Sequence, residues 1–184
     1  MPLFDLLFIG LSIVWVLEFI FFKSRKGKNE QEEAASFPWI MLSVVFVIVI
    51  SLVSRETGLL LLPFTWLPFA GSAVYALGIF LRYSGIIALG RQFTRDVQIR
   101  SSDRIVSGGP FRLLRHPLYT GLFCIVTGFA LFTASLAGLL LVLFLFLPFL
   151  LQRIRIEERM LKEAFGPEYE KWLEPRYRLI PFLY

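Results

Sequence analysis

The sequence predicts an all-α integral membrane protein of five transmembrane helices, and three observations carry that prediction. Hydrophobic residues make up 57% of the chain, 20 of them phenylalanines, a share above that of ordinary soluble domains. Several apolar runs reach or exceed the roughly 20 residues that a helix needs to cross a hydrocarbon core. Charged residues gather into clusters between those runs instead of spreading along the chain. With 184 residues there is room for short spans and tight loops but not for a separate soluble domain of ordinary size, so a single membrane domain is expected.

The first span covers residues 3–22. No basic segment precedes it and no small-residue cleavage site follows, so it reads as a retained span and not as a signal peptide. The second covers residues 37–53, and both end in charged segments. The apolar run from Leu59 to Ala88 is too long for one upright helix. Pro63 and Pro68 break it early, which places the third helix at residues 64–89. Leu118 to Leu151 is again too long for one span, but it accommodates two, at residues 118–132 and 137–151, as a helical hairpin turning near Thr133 to Gly138. From Gln152 onward a polar tail begins as a helix and ends in Leu179, Ile180, Pro181 and Phe182, which can fold back on the membrane face.

Charge tests this order independently. Five spans place residues 23–36, 90–116 and 152–184 on one side, and those segments hold every lysine and arginine except Arg55 and Arg82. By the positive-inside rule that side is cytoplasmic, and the amino terminus faces the other compartment. Six spans would scatter the charge. The net charge of +5 follows from this bias and from attraction to anionic lipid headgroups, and no nucleic-acid motif accompanies it. Cys124 is the single cysteine and lies in an apolar run, which excludes a disulfide framework or a cysteine-rich metal site. His116 is the single histidine, a poor basis for a metal site.

Within the spans, Glu18 and Arg82 fall at similar depth near the cytoplasmic face. A buried structural ion pair is the preferred reading, with an Arg82 directed into a ligand cavity as the alternative. Gly71, Gly78 and Gly85 recur every seven residues along one side of the third helix, a spacing that suits close helix packing.

Two cytoplasmic segments carry the chemistry. In G-P-F-R-L-L-R-H-P-L-Y-T-G, from Gly109 to Gly121, Pro117 suits the first turn of a helix, so His116 stands near a helix amino terminus, where exposed backbone donors favour an anionic group. Phe111 and Tyr119 can cover an aromatic ring, and Arg112 and Arg115 suit lipid headgroups. The second segment is R-I-R-I-E-E-R-M-L-K-E-A-F-G-P-E-Y-E-K-W, from Arg153 to Trp172. Arg153 and Glu157 share a helix face four residues apart, the spacing of an ordinary salt bridge. Glu158 reads as a solvated neighbour. Phe165, Gly166 and Pro167 stop the helix, and Tyr169 and Trp172 read as interfacial anchors. Neither segment contains a phosphate-cradling loop or a nucleophile triad.

The order R-H-P-L-Y-T-G, a short helical hairpin, R-x-x-x-E-E-x-x-L and then F-G-P-E-Y resembles the isoprenylcysteine carboxyl methyltransferase family over roughly Leu89 to Tyr184. The resemblance implies a membrane enzyme whose cytoplasmic loop and carboxyl-terminal tail form a pocket for S-adenosylmethionine, with S-adenosylhomocysteine as product. Its other partner is a lipophilic substrate entering from the bilayer. By motif position the implied cofactor-binding residues are Gln98, Ile105, Val106, Phe111, His116, Pro117, Leu118, Tyr119 and Glu157, and Arg153 is implied to orient the substrate carboxylate. Asp103 stands where the family has His, and Phe111 where it often has Tyr. Methyl transfer to a carboxylate needs no general base, because the nucleophile is ionised at neutral pH, so the missing dyad is no objection. The alternatives are a phospholipid or other small-lipid methyltransferase and, in another class, a non-catalytic scaffold or accessory subunit.

Overall fold

The computed structural model describes residues 3–22, 31–94, 99 and 102–181, with the side chains of 3–4 and 31–37 excepted. Among the described residues every regular element is helical, and the only extended pairings are two isolated bridges. Helix α1 spans Leu3–Phe21, α2 Gln31–Thr57 and α3 Leu67–Leu89. Helix α4 spans Pro117–Phe132 and α5 runs unbroken over Leu136–Phe165, followed by the short α6, Pro167–Leu173. By length and composition Pro38–Thr57, the helix starting at Leu67, and Leu136–Phe165 suffice to cross a membrane, and α4 is a shorter apolar helix.

Three boundaries differ from the sequence expectation, each for a local reason. Helix α2 is already helical at Gln31, ahead of Phe37, because Gln, Glu and Ala at 31–35 are good helix formers, and Pro38 is carried inside the helix. Helix α3 starts at Leu67, with Pro68 in the first turn, where a missing donor leaves no hydrogen bond unmade. Helix α5 does not pause at Leu151 but continues to Phe165. It passes Pro148 by widening into a π-turn over Val142–Phe146, which relieves the clash between the proline ring and the preceding turn. Gly166, at φ +54°, then ends α5 in a backbone conformation that favours glycine, its N–H donating to Lys162 O at 2.8 Å.

Helix α4 lies between two cores. On one side Leu122, Val126 and Ala130 meet Val44 and Val47 of α2 and Phe146 and Leu150 of α5. On the other, Ile125 and Phe132 meet Phe8 of α1 and Tyr75 and Ile79 of α3. The Phe8 and Phe132 rings stack at 3.7 Å. Outward faces stay apolar, as Ile13, Phe46, Leu77 and Phe80 illustrate, which suits lipid and not water.

The glycine heptad of α3 packs against α4, as its spacing predicts. A Cβ at Gly78 would stand 2.6 Å from Gly121 O, and one at Gly128 would stand 2.6 Å from Tyr75 N. Backbone therefore meets backbone, the arrangement that small residues permit between membrane helices. At one end of the bundle Arg55 pairs with Asp5 at 3.0 Å. Nearby, the connection before α3 is pinned to the α4–α5 turn, with Leu62 N donating to Ala134 O at 2.8 Å and Leu136 N to Leu60 O at 2.9 Å. The loop after α3 and the tail after α5 meet at the opposite end.

Candidate active site

The polar end is assembled by backbone and side-chain ties between the loop after α3 and the tail. Gln92 holds the loop with both ends of its amide, donating to Arg104 O at 3.0 Å and accepting from Arg104 N at 2.8 Å. Pro110 and Gly109 make a short 3-10 turn that buries Phe111. The tail then pairs with this loop as an isolated parallel bridge, Arg115 N donating to Tyr177 O at 2.8 Å and Tyr177 N to Leu113 O at 3.0 Å. Arg176 donates to Phe111 O at 2.7 Å and lies over the Trp172 ring, 4.5 Å from its centroid. Trp172 Nε1 donates to Ser107 Oγ at 2.9 Å, and Thr120 Oγ1 donates to Leu179 O at 2.8 Å. Trp172 is thus a latch between tail and loop.

These ties close over a cavity of about 200 Å³. Its polar wall carries Arg82, Asp103, Arg104, Arg115, Tyr119, Arg153 and Glu157, its aromatic wall Phe111, Phe165, Tyr169 and Trp172, and its apolar wall includes Phe19, Ile40, Met41 and Leu122 from α1, α2 and α4. One space therefore joins the polar end to the membrane helices.

Seven of the residues singled out from sequence line it: Ile105, Val106, Phe111, Leu118, Tyr119, Arg153 and Glu157. Tyr119 lies two residues after Pro117, in the first turn of α4. That places its hydroxyl beside α5, where it accepts from Arg153 Nε at 3.0 Å and hydrogen-bonds the Glu157 carboxylate. Arg153 is only 2% exposed. The two α5 residues, four apart on one face, are thus joined through a phenol contributed by another helix. Gln98 lies outside the described residues.

His116 and Pro117 do not line the cavity. His116 is 4% exposed and sits behind the wall, its Nε2 3.2 Å from Glu158 Oε1 and its Nδ1 4.0 Å from Glu157 Oε1. A carboxylate only accepts, so Nε2 carries the hydrogen toward Glu158. Glu158 is not the solvated neighbour that helix spacing suggested. It is buried, accepts from Arg178 Nε at 3.1 Å and from Arg178 Nη2, and has Arg115 at 3.9 Å. It lies two turns beyond the apolar part of α5. Burial alone would raise its pKa, but hydrogen bonds and charge from His116 and Arg178 outweigh that and bring it down to about 2. Arg115 also bonds within the protein, its Nε donating to Arg176 O at 2.8 Å. Arg112 stays exposed, as a headgroup contact requires.

Sequence reasoning did not place Arg115, Tyr169 and Trp172 in the wall. Their positions depend on how the tail folds back, and no periodicity encodes that. Glu18 and Arg82 do form the predicted buried pair. Arg82 Nε donates to Glu18 Oε2 at 2.6 Å and Nη2 to Oε1, with Glu18 0% exposed. Arg82 also faces the cavity, so both readings of that residue hold together.

The chain is similar in structure to a solved eukaryotic intramembrane Ras methyltransferase, isoprenylcysteine carboxyl methyltransferase, with a TM-score of 0.69 and 26% identity, covering 95% of this chain and 61% of that one. The fold is therefore that of this helical membrane methyltransferase. A family model described as phospholipid methyltransferase matches residues 66–168. The chain belongs to that family. Among curated relatives it is similar to a probable protein-S-isoprenylcysteine O-methyltransferase of Oryza sativa subsp. indica, 26% identical over 152 residues, which are 78% of this chain and 80% of that protein. It is also similar to the protein-S-isoprenylcysteine O-methyltransferase of Schizosaccharomyces pombe, 33% identical over 98 residues, which are 52% of this chain and 42% of that protein.

Proposed function

We propose that this chain transfers a methyl group from S-adenosylmethionine to the carboxylate of a lipophilic substrate such as a prenylated cysteine. The observation that carries the reading is a cavity in which the Arg153, Tyr119 and Glu157 cluster opens onto apolar residues of three helices. The lining residues fit the methyl donor by their chemistry. Glu157 accepts from ammonium or hydroxyl groups, Phe111, Phe165 and Trp172 form an aromatic wall that suits a purine, and Ile105 and Val106 complete an apolar wall. S-adenosylmethionine, when bound, supplies an electrophilic methyl group on a sulfonium.

The chain's own residues then have three tasks: to orient the acceptor, to exclude water and to hold charges fixed. Arg153 offers a planar fork to a carboxylate, and its Nε is already tied to Tyr119, so little side-chain freedom remains to be lost on binding. No residue needs to take a proton from an ionised carboxylate, in keeping with a wall that offers ordered donors and no activated base. The tail, tied to the loop through Arg176, Trp172 and the Tyr177 bridge, separates the reacting groups from bulk water. The lipid portion of the acceptor lies against Phe19, Ile40, Met41 and Leu122, a route an insoluble chain can reach from the bilayer.

The same reading includes the topology. Five spans, with α4 and α5 as a hairpin, place the amino terminus outside and the site and carboxyl terminus in the cytoplasm. The basic residues clustered at the polar end support that orientation, as does the Asp5–Arg55 pair at the other end.

The test is calorimetric binding of S-adenosylhomocysteine to the purified chain, followed by labelled methyl transfer to a prenylcysteine analogue and to total lipid extract. Binding with label on the prenylcysteine analogue is expected. Label confined to lipid extract would favour a phospholipid or other small-lipid acceptor, the alternative that the matching family model makes specific. Glu157→Gln is expected to weaken S-adenosylhomocysteine binding by about tenfold or more, the loss of one charge-assisted hydrogen bond. A folded chain with no binding overturns the reading.

A further inference from the structure

Helix α5 carries a second polar surface that the cavity does not use. Arg153, Glu157, Leu161 and Phe165 line the cavity. Pro148, Gln152, Arg155, Arg159 and Lys162, at alternating spacings of four and three residues, form an exposed stripe on another side of the same helix. Arg178 of the tail comes up beside this stripe, and with Arg155, Glu158, Arg159, Lys162 and Glu163 it lines an open surface groove. Cations outnumber acids there. Glu158 is already engaged by His116 and Arg178, which leaves Glu163 to face Arg155, Arg159 and Lys162. Among the described residues neither Arg155 nor Lys162 forms an ion pair.

The height of the groove decides which anion it meets. The stripe begins at Pro148, inside the apolar run that ends at Leu151, so the helix face that meets lipid tails at one level carries the cations at the next. With a rise of about 1.5 Å per residue, Arg155 stands about 6 Å beyond Leu151 and Arg159 about 12 Å. The headgroup layer is roughly 5–8 Å deep on each side of the hydrocarbon core, and long basic side chains bend along apolar surface to place their charge in it. The groove therefore opens onto the phosphates of neighbouring phospholipids, and its excess of positive charge selects a headgroup with net negative charge.

The geometry points to a binding site for the headgroup of an anionic phospholipid, in the groove between the outer face of α5 and the tail. Guanidinium groups of Arg155 and Arg159 suit its phosphate. Because Arg178 belongs to the tail and the other cations to α5, a headgroup in the groove also ties the tail to the helix on the side away from the cavity. The site is separate from the methyl-transfer cavity and stands or falls apart from that reading.

The experiment titrates the full chain in a neutral detergent with phosphatidylglycerol and, separately, with phosphatidylcholine, and follows the thermal midpoint, which rises when a ligand binds the folded chain. Phosphatidylglycerol is expected to raise it saturably, less so as salt is added, and phosphatidylcholine to leave it unchanged. In Arg155→Gln/Lys162→Gln, two exposed positions, the lipid-free midpoint is expected to hold. The phosphatidylglycerol needed for half the rise is expected to increase about 30-fold, two cations at about fivefold each. Arg91→Gln/Lys171→Gln, which removes the same charge from exposed positions outside the groove, is expected to behave as wild type. No rise with phosphatidylglycerol, an equal rise with phosphatidylcholine, or a rise indifferent to salt overturns the proposal. An equal loss in the two double variants overturns it too, since diffuse surface charge would then account for the effect. The same rise with inorganic phosphate in place of lipid would make the groove a site for free anions and would overturn the headgroup assignment.

Discussion

Glu158 keeps its negative charge in a largely water-excluded position because His116 and Arg178 both address its carboxylate. The charge matters to stability in a way pH can expose. A carboxyl whose folded pKa lies near 2, against an ordinary 4.5, adds stability that is complete above the unfolded value and is lost as pH falls from about 4.5 toward about 2. The thermal midpoint of the wild type is therefore expected to drop across that window, and the midpoint of Glu158→Gln to start lower and vary less. Equal pH slopes for the two proteins would refute the assignment. The same pairing changes the role of His116, which stands behind the wall and positions Glu158, while Tyr119 makes the direct contacts to Arg153 and Glu157.

Helices α3 and α4 approach through glycine. Because lipid is as apolar as leucine, no hydrophobic drive holds two membrane helices together, and close backbone contact has to supply the packing. Gly78→Ala puts a methyl group 2.6 Å from Gly121 O, whereas Gly10 of α1 has nothing within 4 Å. Gly78→Ala is expected to destabilise the detergent-solubilised protein by about 1–3 kcal/mol, the usual range for overpacking, and Gly10→Ala to leave the unfolding midpoint within error. The contact also bears on function, since Arg82 and Tyr119, both in the cavity wall, belong to this helix pair. Within α5 the π-turn ahead of Pro148 keeps one helix continuous from the apolar core to Arg153 and Glu157, so packing in the membrane is transmitted rigidly to the site.

At the scale of the whole molecule the tail and the loop after α3 form a cap over one end of a membrane bundle. Arg176 lies at the centre of that cap, donating to Phe111 O and to Trp172 O while covering the Trp172 ring. Arg176→Ala removes all three contacts without touching the bundle core. It is expected to weaken S-adenosylhomocysteine binding by about tenfold, roughly the loss of one or two net hydrogen bonds, with little change in unfolding midpoint. A fall in midpoint with intact affinity would show instead that the cap serves the fold and not the site.

Apolar run length, charge clustering and motif order determined by themselves that this is a helical membrane protein, approximately where four of its helices lie, that Glu18 and Arg82 pair, and which loop and which stretch of α5 line the cavity. These features are local or periodic, and each is written in consecutive residues. Only the tertiary structure decided that Glu158 is buried while Glu157 faces the cavity, that His116 stands one layer back, and that Tyr169 and Trp172 belong to the cavity wall. Neighbouring residues on an amphipathic helix differ only in what another segment brings against them. Here that segment is the tail after Gly166, whose course is set by the Tyr177 bridge and by Arg176 and Arg178, through contacts to the loop and to α5 that span 20 residues of sequence or more. The physical reason is that burial and partner choice are properties of the assembled cap, where a carboxylate or a phenol takes its role from the charges and hydrogen-bonding groups that other elements place around it.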